Sequence, residues 1–170
     1  KPLISKELFD LVQETRGVNK GVWGSKTFAF RGLLKCGRCT ADITAQDKFK
    51  TLKNGDVKRF VYYNCTRRKD PNCAEKYVNE ERLCELMQGF IEKHHEDIKI
   101  TEKLRARVDK HFYTTKTILT HYKIYQKLDN PFIEYARYVL ADGTDSERTF
   151  LASNMGPMLQ IKDGELEFYG

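Results

Sequence analysis

The chain has 170 residues, 40% of them hydrophobic and 32% charged, with a mean hydropathy of -0.63 and a formal charge of +6. That length accommodates one domain, or two small ones sharing an interface, around a modest apolar core. No apolar run approaches the roughly 20 residues of a membrane-spanning helix, and the opening KPLISKELFD lacks the apolar stretch of a signal peptide. The first residue is Lys and not Met, which reads as a piece of a longer polypeptide.

The charge is unevenly placed. Residues 35–76 hold eleven Lys/Arg against five acids, residues 1–34 six against three, and residues 77–170 thirteen against sixteen. The positive excess therefore lies in the first 76 residues. A localised basic patch suits a polyanion, and nucleic acid is the default candidate.

In chain order, residues 5–13 (SKELFDLVQ) read as a short helix, with Ser5 as N-cap and Leu8, Phe9, Leu11 and Val12 on its apolar side. Residues 14–31 hold Gly17, Gly21 and Gly24 with little periodicity, and read as an extended linker that carries Trp23, Phe28 and Phe30. From Gly32 to about Tyr77 the pattern is one of short strands and turns. Residues 41–46 and 48–52 are expected as two strands, and Asn54-Gly55 as a hairpin turn that supplies positive φ angles. Residues 59–64 (RFVYYN) return as a strand, with Phe60 and Tyr62 on one face and Arg59, Val61 and Tyr63 on the other.

Beyond Tyr77 the periodicity becomes helical. Asn79 is a candidate N-cap, followed by the stripe Leu83, Leu86, Met87, Phe90 and Ile91. A second helix is expected through Leu104, Val108, Phe112, Ile118, Leu119, Tyr122 and Tyr125, and Asp129-Asn130-Pro131 should end it. Residues 131–140 and 146–153 read as two further helices, and residues 158–168 as a hairpin around Asp163-Gly164.

The five cysteines carry the strongest signal. Cys36 and Cys39 form a C-x2-C pair with Gly37 easing the turn; Cys65 and Cys73 form a C-x7-C pair after a gap that contains the Asn-Gly turn. Folding that hairpin back brings Cys65 beside the first pair and closes a four-sulfur site for one structural Zn²⁺. Full coordination leaves no open position for chemistry; the metal would hold a ribbon too poor in core to fold alone. Four thiolates and Zn²⁺ add about -2, which still leaves the segment near +4. Disulfides would need an oxidising compartment that nothing in the sequence signals. A thioredoxin-type C-x-x-C would open a helix, whereas this pair precedes strands. Cys84 reads as a packing residue, His94-His95 as a solvated helix surface, and His111 and His121 show no ligand spacing.

Basic residues interleave with aromatics along the ribbon. Arg38, Lys48, Lys50, Lys53, Lys58 and Arg59, together with the Arg67-Arg68-Lys69 run, are the candidate DNA-binding residues. No Ser-His-Asp array, phosphate-binding glycine loop or spaced carboxylate pair stands out, so no catalytic residue is assigned.

The succession PLISKELFDLVQ, a linker, FRGLLKCGRCTADIT, YYNC and NC resembles the C-terminal region of large serine recombinases, the phage integrases and transposon resolvase-like enzymes. The closing SERTFLASNMGPMLQIKDGELEF is similar to that family's last helix and strands. The resemblance implies a zinc ribbon domain that binds one end of each attachment half-site, mainly in the major groove of double-stranded DNA. It makes residues 1–13 the end of a preceding recombinase domain and residues 14–31 a linker tracking DNA. The family's serine nucleophile lies in an N-terminal catalytic domain with no counterpart here, so this chain is expected to bind DNA without cutting it. It is also expected to be cytoplasmic and encoded by a bacterium or phage. Family integrases carry a long antiparallel coiled coil in this domain. Residues 96–128 are the only place for one, and a hairpin there would reach only about 25 Å. A truncated coiled coil, or none, is expected, with self-association through the helical region left to the full-length protein.

The fold class expected is α+β: a small four-cysteine zinc β-ribbon packed with several α-helices and a C-terminal β-hairpin. Residues 32–77 form the ribbon and 78–170 the helical part, the two making one domain after the 1–31 segment. Two other readings remain at this level, a zinc-ribbon RNA- or protein-binding module of the transcription or translation kind, and an enzyme with a catalytic zinc.

Overall fold

A computed structural model describes Ser5, residues 27–125, 127–128, 130–156 and 158–170. The expected helix at 5–13 and most of the expected linker lie outside the described residues.

Two three-stranded sheets and four helices make up the described residues. In chain order they are β1 (Leu34–Cys36), β2 (Ile43–Thr51), β3 (Val57–Cys65), β4 (Val78–Asn79), α1 (Glu80–His94), α2 (Glu102–His121), α3 (Pro131–Asp142), α4 (Asp145–Ser153), β5 (Leu159–Lys162) and β6 (Glu165–Phe168). The α+β class follows directly. Local chemistry sets the helix starts. The side chains of Asn79, Thr101 and Asn130 accept from the backbone N–H of Arg82, Leu104 and Phe132, and Pro131 occupies the first turn. Thr144 and Glu147 exchange hydrogen bonds in a capping box, so α4 begins at Asp145.

The ribbon is the antiparallel pair β2–β3, in register from Ile43↔Cys65 to Thr51↔Val57. The two short strands expected at 41–46 and 48–52 are one strand of nine residues. No turn chemistry interrupts the chain there, and each residue finds a partner on β3. At the far end Leu52 N–H donates to Asp56 O at 2.7 Å, and Gly55 alone takes positive φ, at 90°. The loop is thus longer than a two-residue Asn-Gly turn. Asn54 instead holds the Asp56 N–H with its side-chain oxygen at 3.2 Å.

Alternation along β3 separates its faces as expected. Val61, Tyr63 and Cys65 are buried, and Phe60 and Tyr62 lie half-buried on the opposite side. The β5–β6 hairpin also forms where expected, with Asp163 and Gly164 both at positive φ (55° and 83°), the signature of a tight two-residue turn. A pairing absent from the sequence reading is parallel: β1 lies beside β5, with Cys36 opposite Ile161.

The core runs from the sheets into the helices. Phe30, Leu34, Ile43, Tyr63, Leu83, Met87, Ile91, Leu104, Val139, Leu151, Met155 and Ile161 are all essentially inaccessible. Residues 28–30, within the segment expected as linker, join this core. Phe30 N–H donates to Tyr63 Oη (3.3 Å), Thr149 Oγ1 donates to Ala29 O (2.8 Å), and the Phe30 and Tyr63 rings meet at 5.7 Å. Ribbon and helices therefore share one core. Only the N-terminal part of α2 takes part, through Leu104 and Val108. Its distal residues Ile118, Tyr122 and the following Tyr125 are exposed. The region of 96–128 holds this single 20-residue helix and, among the described residues, no helical hairpin.

Candidate functional site

The four expected ligands converge. Cys36, Cys39, Cys65 and Cys73 bring their sulfurs within 4.8 Å of one another. The Cys36–Cys73 separation is 3.6 Å and the Cys39–Cys65 separation 3.3 Å. Two sulfurs on one tetrahedral zinc, each about 2.3 Å from the metal, lie about 3.8 Å apart, whereas a disulfide would need about 2.05 Å. The donor set therefore fits one zinc ion held by four thiolates, a closed structural site. Cys36, Cys65 and Cys73 are buried and Cys39 is half-buried.

Each ligand sits on a turn whose backbone aims it inward. Cys36 ends β1, and Thr40 N–H donates back to Cys36 O at 2.7 Å. Thr40 takes φ 59°, the left-handed step that closes the first knuckle. Gly37 does not supply it. A Cβ on Gly37 would stand 2.5 Å from Lys162 Cβ, and its N–H donates to Ile161 O at 2.7 Å. The glycine admits β5 against the knuckle, which corrects its expected role of easing the turn. On the other side, Arg67 at φ 56° turns its N–H onto Cys65 Sγ at 3.2 Å. Asp70 O accepts from Cys73 N–H at 3.1 Å. Burial pushes the Cys36 and Cys65 thiols up. Zinc must displace those protons, so metal binding strengthens as pH rises.

The nine basic candidates fall into three groups. Lys48, Lys50 and Lys58 share the ribbon face that points away from the core, together with Phe60 and Tyr62. The register pairs Lys48 with Phe60 and Lys50 with Lys58. Lys50 and Lys58 ammonium groups lie 5.4 and 5.1 Å from the Phe60 ring centre, and that of Lys48 lies 5.8 Å from that of Tyr62. Lys58 also meets Glu81 at 3.3 Å. The far half of the ribbon is exposed on both strands and carries Lys53 in its end loop.

The second group, Arg67, Arg68 and Lys69, lies at the zinc end of the ribbon. Lys69 Nζ donates to Thr40 Oγ1 at 2.8 Å, and the charges of Arg68 and Lys69, after the larger effect of Lys35, help hold the Asp42 carboxyl below its usual range. The third group is engaged within the protein. Arg59 pairs with Asp47 (3.1 Å) and covers the Phe28 ring, and Arg38 is ion-paired with both Glu75 and Asp163.

Sequence reasoning missed Glu75. It is the one buried charged residue among those described, with its side chain 1% exposed. Its signal was only its place two residues after Cys73. Cys84 is buried as expected, and burial pushes its thiol up to about 11. His94, expected as solvated, is flanked by the rings of Phe90 and Phe168 at 4.7 and 5.3 Å.

A two-stranded ribbon with a four-cysteine centre and two knuckles defines the class: a structural zinc ribbon. By comparison, residues 29–91 match the family model of the recombinase zinc beta ribbon domain. Among solved structures, one described as the crystal structure of an LSR–DNA complex aligns at 17% identity and a TM-score of 0.44, over 99% of this chain and 64% of that chain. Another, described by the sequence requirements of the Listeria innocua prophage attP site, aligns at 23% identity and a TM-score of 0.32, over 58% of this chain and 44% of that chain. This chain thus spans less than two thirds of either neighbour. No curated protein matches the sequence. No helix of the described residues is long and apolar enough to cross a membrane.

Proposed function

We propose that this chain is the DNA-recognition part of a large serine recombinase, and that its zinc ribbon binds attachment-site duplex without itself cutting DNA. One observation carries the reading. On a ribbon that matches the recombinase zinc beta ribbon domain, Lys48, Lys50 and Lys58 gather on the face turned away from the core. Lysines so placed reach phosphates without giving up core packing, and a two-stranded ribbon has the width that a B-form major groove admits. The zinc supplies rigidity, so the bases and phosphates meet a fixed surface. Arg67, Arg68 and Lys69, at the zinc end of the same ribbon, supply further phosphate contacts.

The test is fluorescence anisotropy of the zinc-loaded chain with labelled duplexes across a salt series. We expect sequence-preferring duplex binding whose logarithm falls linearly with log salt. Changing Lys48, Lys50 and Lys58 together to Gln should make that slope shallower by about 1 for each phosphate the lysines neutralise. Preference for single-stranded RNA over duplex DNA would overturn the reading in favour of an RNA-binding zinc ribbon.

A further inference from the structure

The zinc knuckle is docked on the C-terminal hairpin through side chains that bind neither metal nor, on the reading above, DNA. Arg38 lies between Cys36 and Cys39. Its guanidinium meets the Glu75 carboxylate at 3.4 Å and is also paired with Asp163 in the β5–β6 turn. Glu75 in turn accepts from the turn's backbone, from Asp163 N–H at 3.1 Å and Gly164 N–H at 3.3 Å, and from Lys76 N–H at 3.3 Å.

We propose that Arg38 and Glu75 are positioning residues for the zinc site: they fasten the first knuckle and the Cys73 loop to the β5–β6 turn, so that metal binding and docking of the C-terminal hairpin are one coupled event.

Three independent features support the coupling. A carboxylate is buried only where hydrogen bonds and a counter-charge compensate it, and every compensating group of Glu75 except its neighbour's N–H comes from the knuckle or the turn. Gly37, inside the knuckle, has no room for a Cβ because Lys162 of β5 packs against it. Cys36 itself lies on β1, whose described strand partner is β5, 125 positions away at Ile161. The segment that matches the zinc ribbon family stops at residue 91, yet the strand that completes its first ligand turn begins at Leu159. Partners beyond the first ligand shell set ligand orientation in metal sites, and losing one commonly costs about 10–100-fold in metal affinity. Coupling is reciprocal, so what zinc gains from the docked turn, the turn gains from zinc.

The experiment uses the whole chain with Zn²⁺ competed by a chromophoric chelator, and Co²⁺ as the spectroscopic probe of the sulfur shell. Glu75→Ala and Arg38→Ala should each lower Zn²⁺ affinity by about 10–100-fold, with less than the combined loss in the double variant. Glu75→Gln, which keeps one acceptor oxygen for the turn, should recover part of the affinity. A role confined to packing would lower the unfolding midpoint and leave Zn²⁺ affinity and the Co²⁺ spectrum at wild-type values; that result overturns the proposal. A role of Arg38 as a phosphate contact alone would weaken DNA binding with unchanged Zn²⁺ affinity, and overturns it too. Should Glu75→Ala fail to fold, the wild-type chain still decides. Stripping zinc with a chelator should expose the Asp163 and Gly164 amides to hydrogen exchange while amides in α1 stay protected. Unchanged protection at Asp163 and Gly164 would contradict the coupling.

Discussion

The two halves of the same ribbon differ sharply. At the zinc end, Ile43, Val61, Tyr63 and Cys65 are buried, and the knuckles are tied to residues 160–164 by backbone and carboxylate hydrogen bonds. At the far end, residues 48–51 and 57–59 are exposed on both strands, with Phe49 61% and Val57 64% accessible. One half has a core and four converging thiols; the other has its ladder of hydrogen bonds with exposed ion pairs and ring contacts such as Lys58–Glu81 and Lys50 on Phe60. A two-stranded ribbon is marginal in water by itself, so the far half depends on the zinc end for its shape. On the function proposed above, the residues that hold the ribbon are gathered at the zinc end, while those offered to DNA lie along the outer face and in the Arg67–Lys69 run beside the zinc end.

The largest effect should come from breaking the zinc end. Cys65→Ser removes a ligand, leaves three sulfurs around the metal and should unfold the ribbon, with loss of zinc measured by metal analysis and loss of DNA binding by anisotropy. Lowering pH should act in the same direction. The raised Cys36 and Cys65 thiols take up protons readily, so zinc release in a chelator competition should grow as pH falls. Next in size is Tyr63→Phe. The phenol donates to Glu80 at 2.9 Å and accepts from Phe30 N–H, so its loss strands a buried backbone donor. The expected cost is about 1–3 kcal/mol in urea unfolding. Asn79→Ala removes the cap of α1 and should cost about 1 kcal/mol by the same measurement. The smallest stability change belongs to the outer face, where substitutions at Lys48, Lys50 and Lys58 should stay within about 0.5 kcal/mol.

The zinc end was legible because thiolate spacing and an Asn-Gly turn are short-range signals. Cys36, Cys39, Cys65 and Cys73 could be joined from the sequence since one hairpin suffices to bring them together. The outer face was legible in part: alternation separated Phe60 and Tyr62 from Val61 and Tyr63, but reading 41–52 as two strands hid that Lys48 and Lys50 share their side. The β1–β5 pairing left no local trace, because strands so far apart carry no mutual signal in one sequence. For the same reason Glu75 read as one more acid in a charged stretch, and Gly37 as a turn residue, when both answer to the C-terminal hairpin. Arg38 was grouped with the phosphate contacts on charge alone; its guanidinium is instead engaged within the protein by Glu75 and Asp163. The distal part of α2 shows the opposite failure. Ile118, Tyr122 and Tyr125 continue a helical apolar pattern, yet they are exposed, because periodicity reports a face and not what covers it.

The central claim is that zinc holds the ribbon and the outer lysines use it. The most direct measurement takes zinc content and duplex affinity from one sample of the chain carrying Lys48→Gln, Lys50→Gln and Lys58→Gln. The account predicts one zinc per chain, as in the wild type, with DNA affinity reduced at least tenfold, on the order of 1.4 kcal/mol. Wild-type affinity in that fully loaded variant would contradict it and place the DNA contacts elsewhere on the chain.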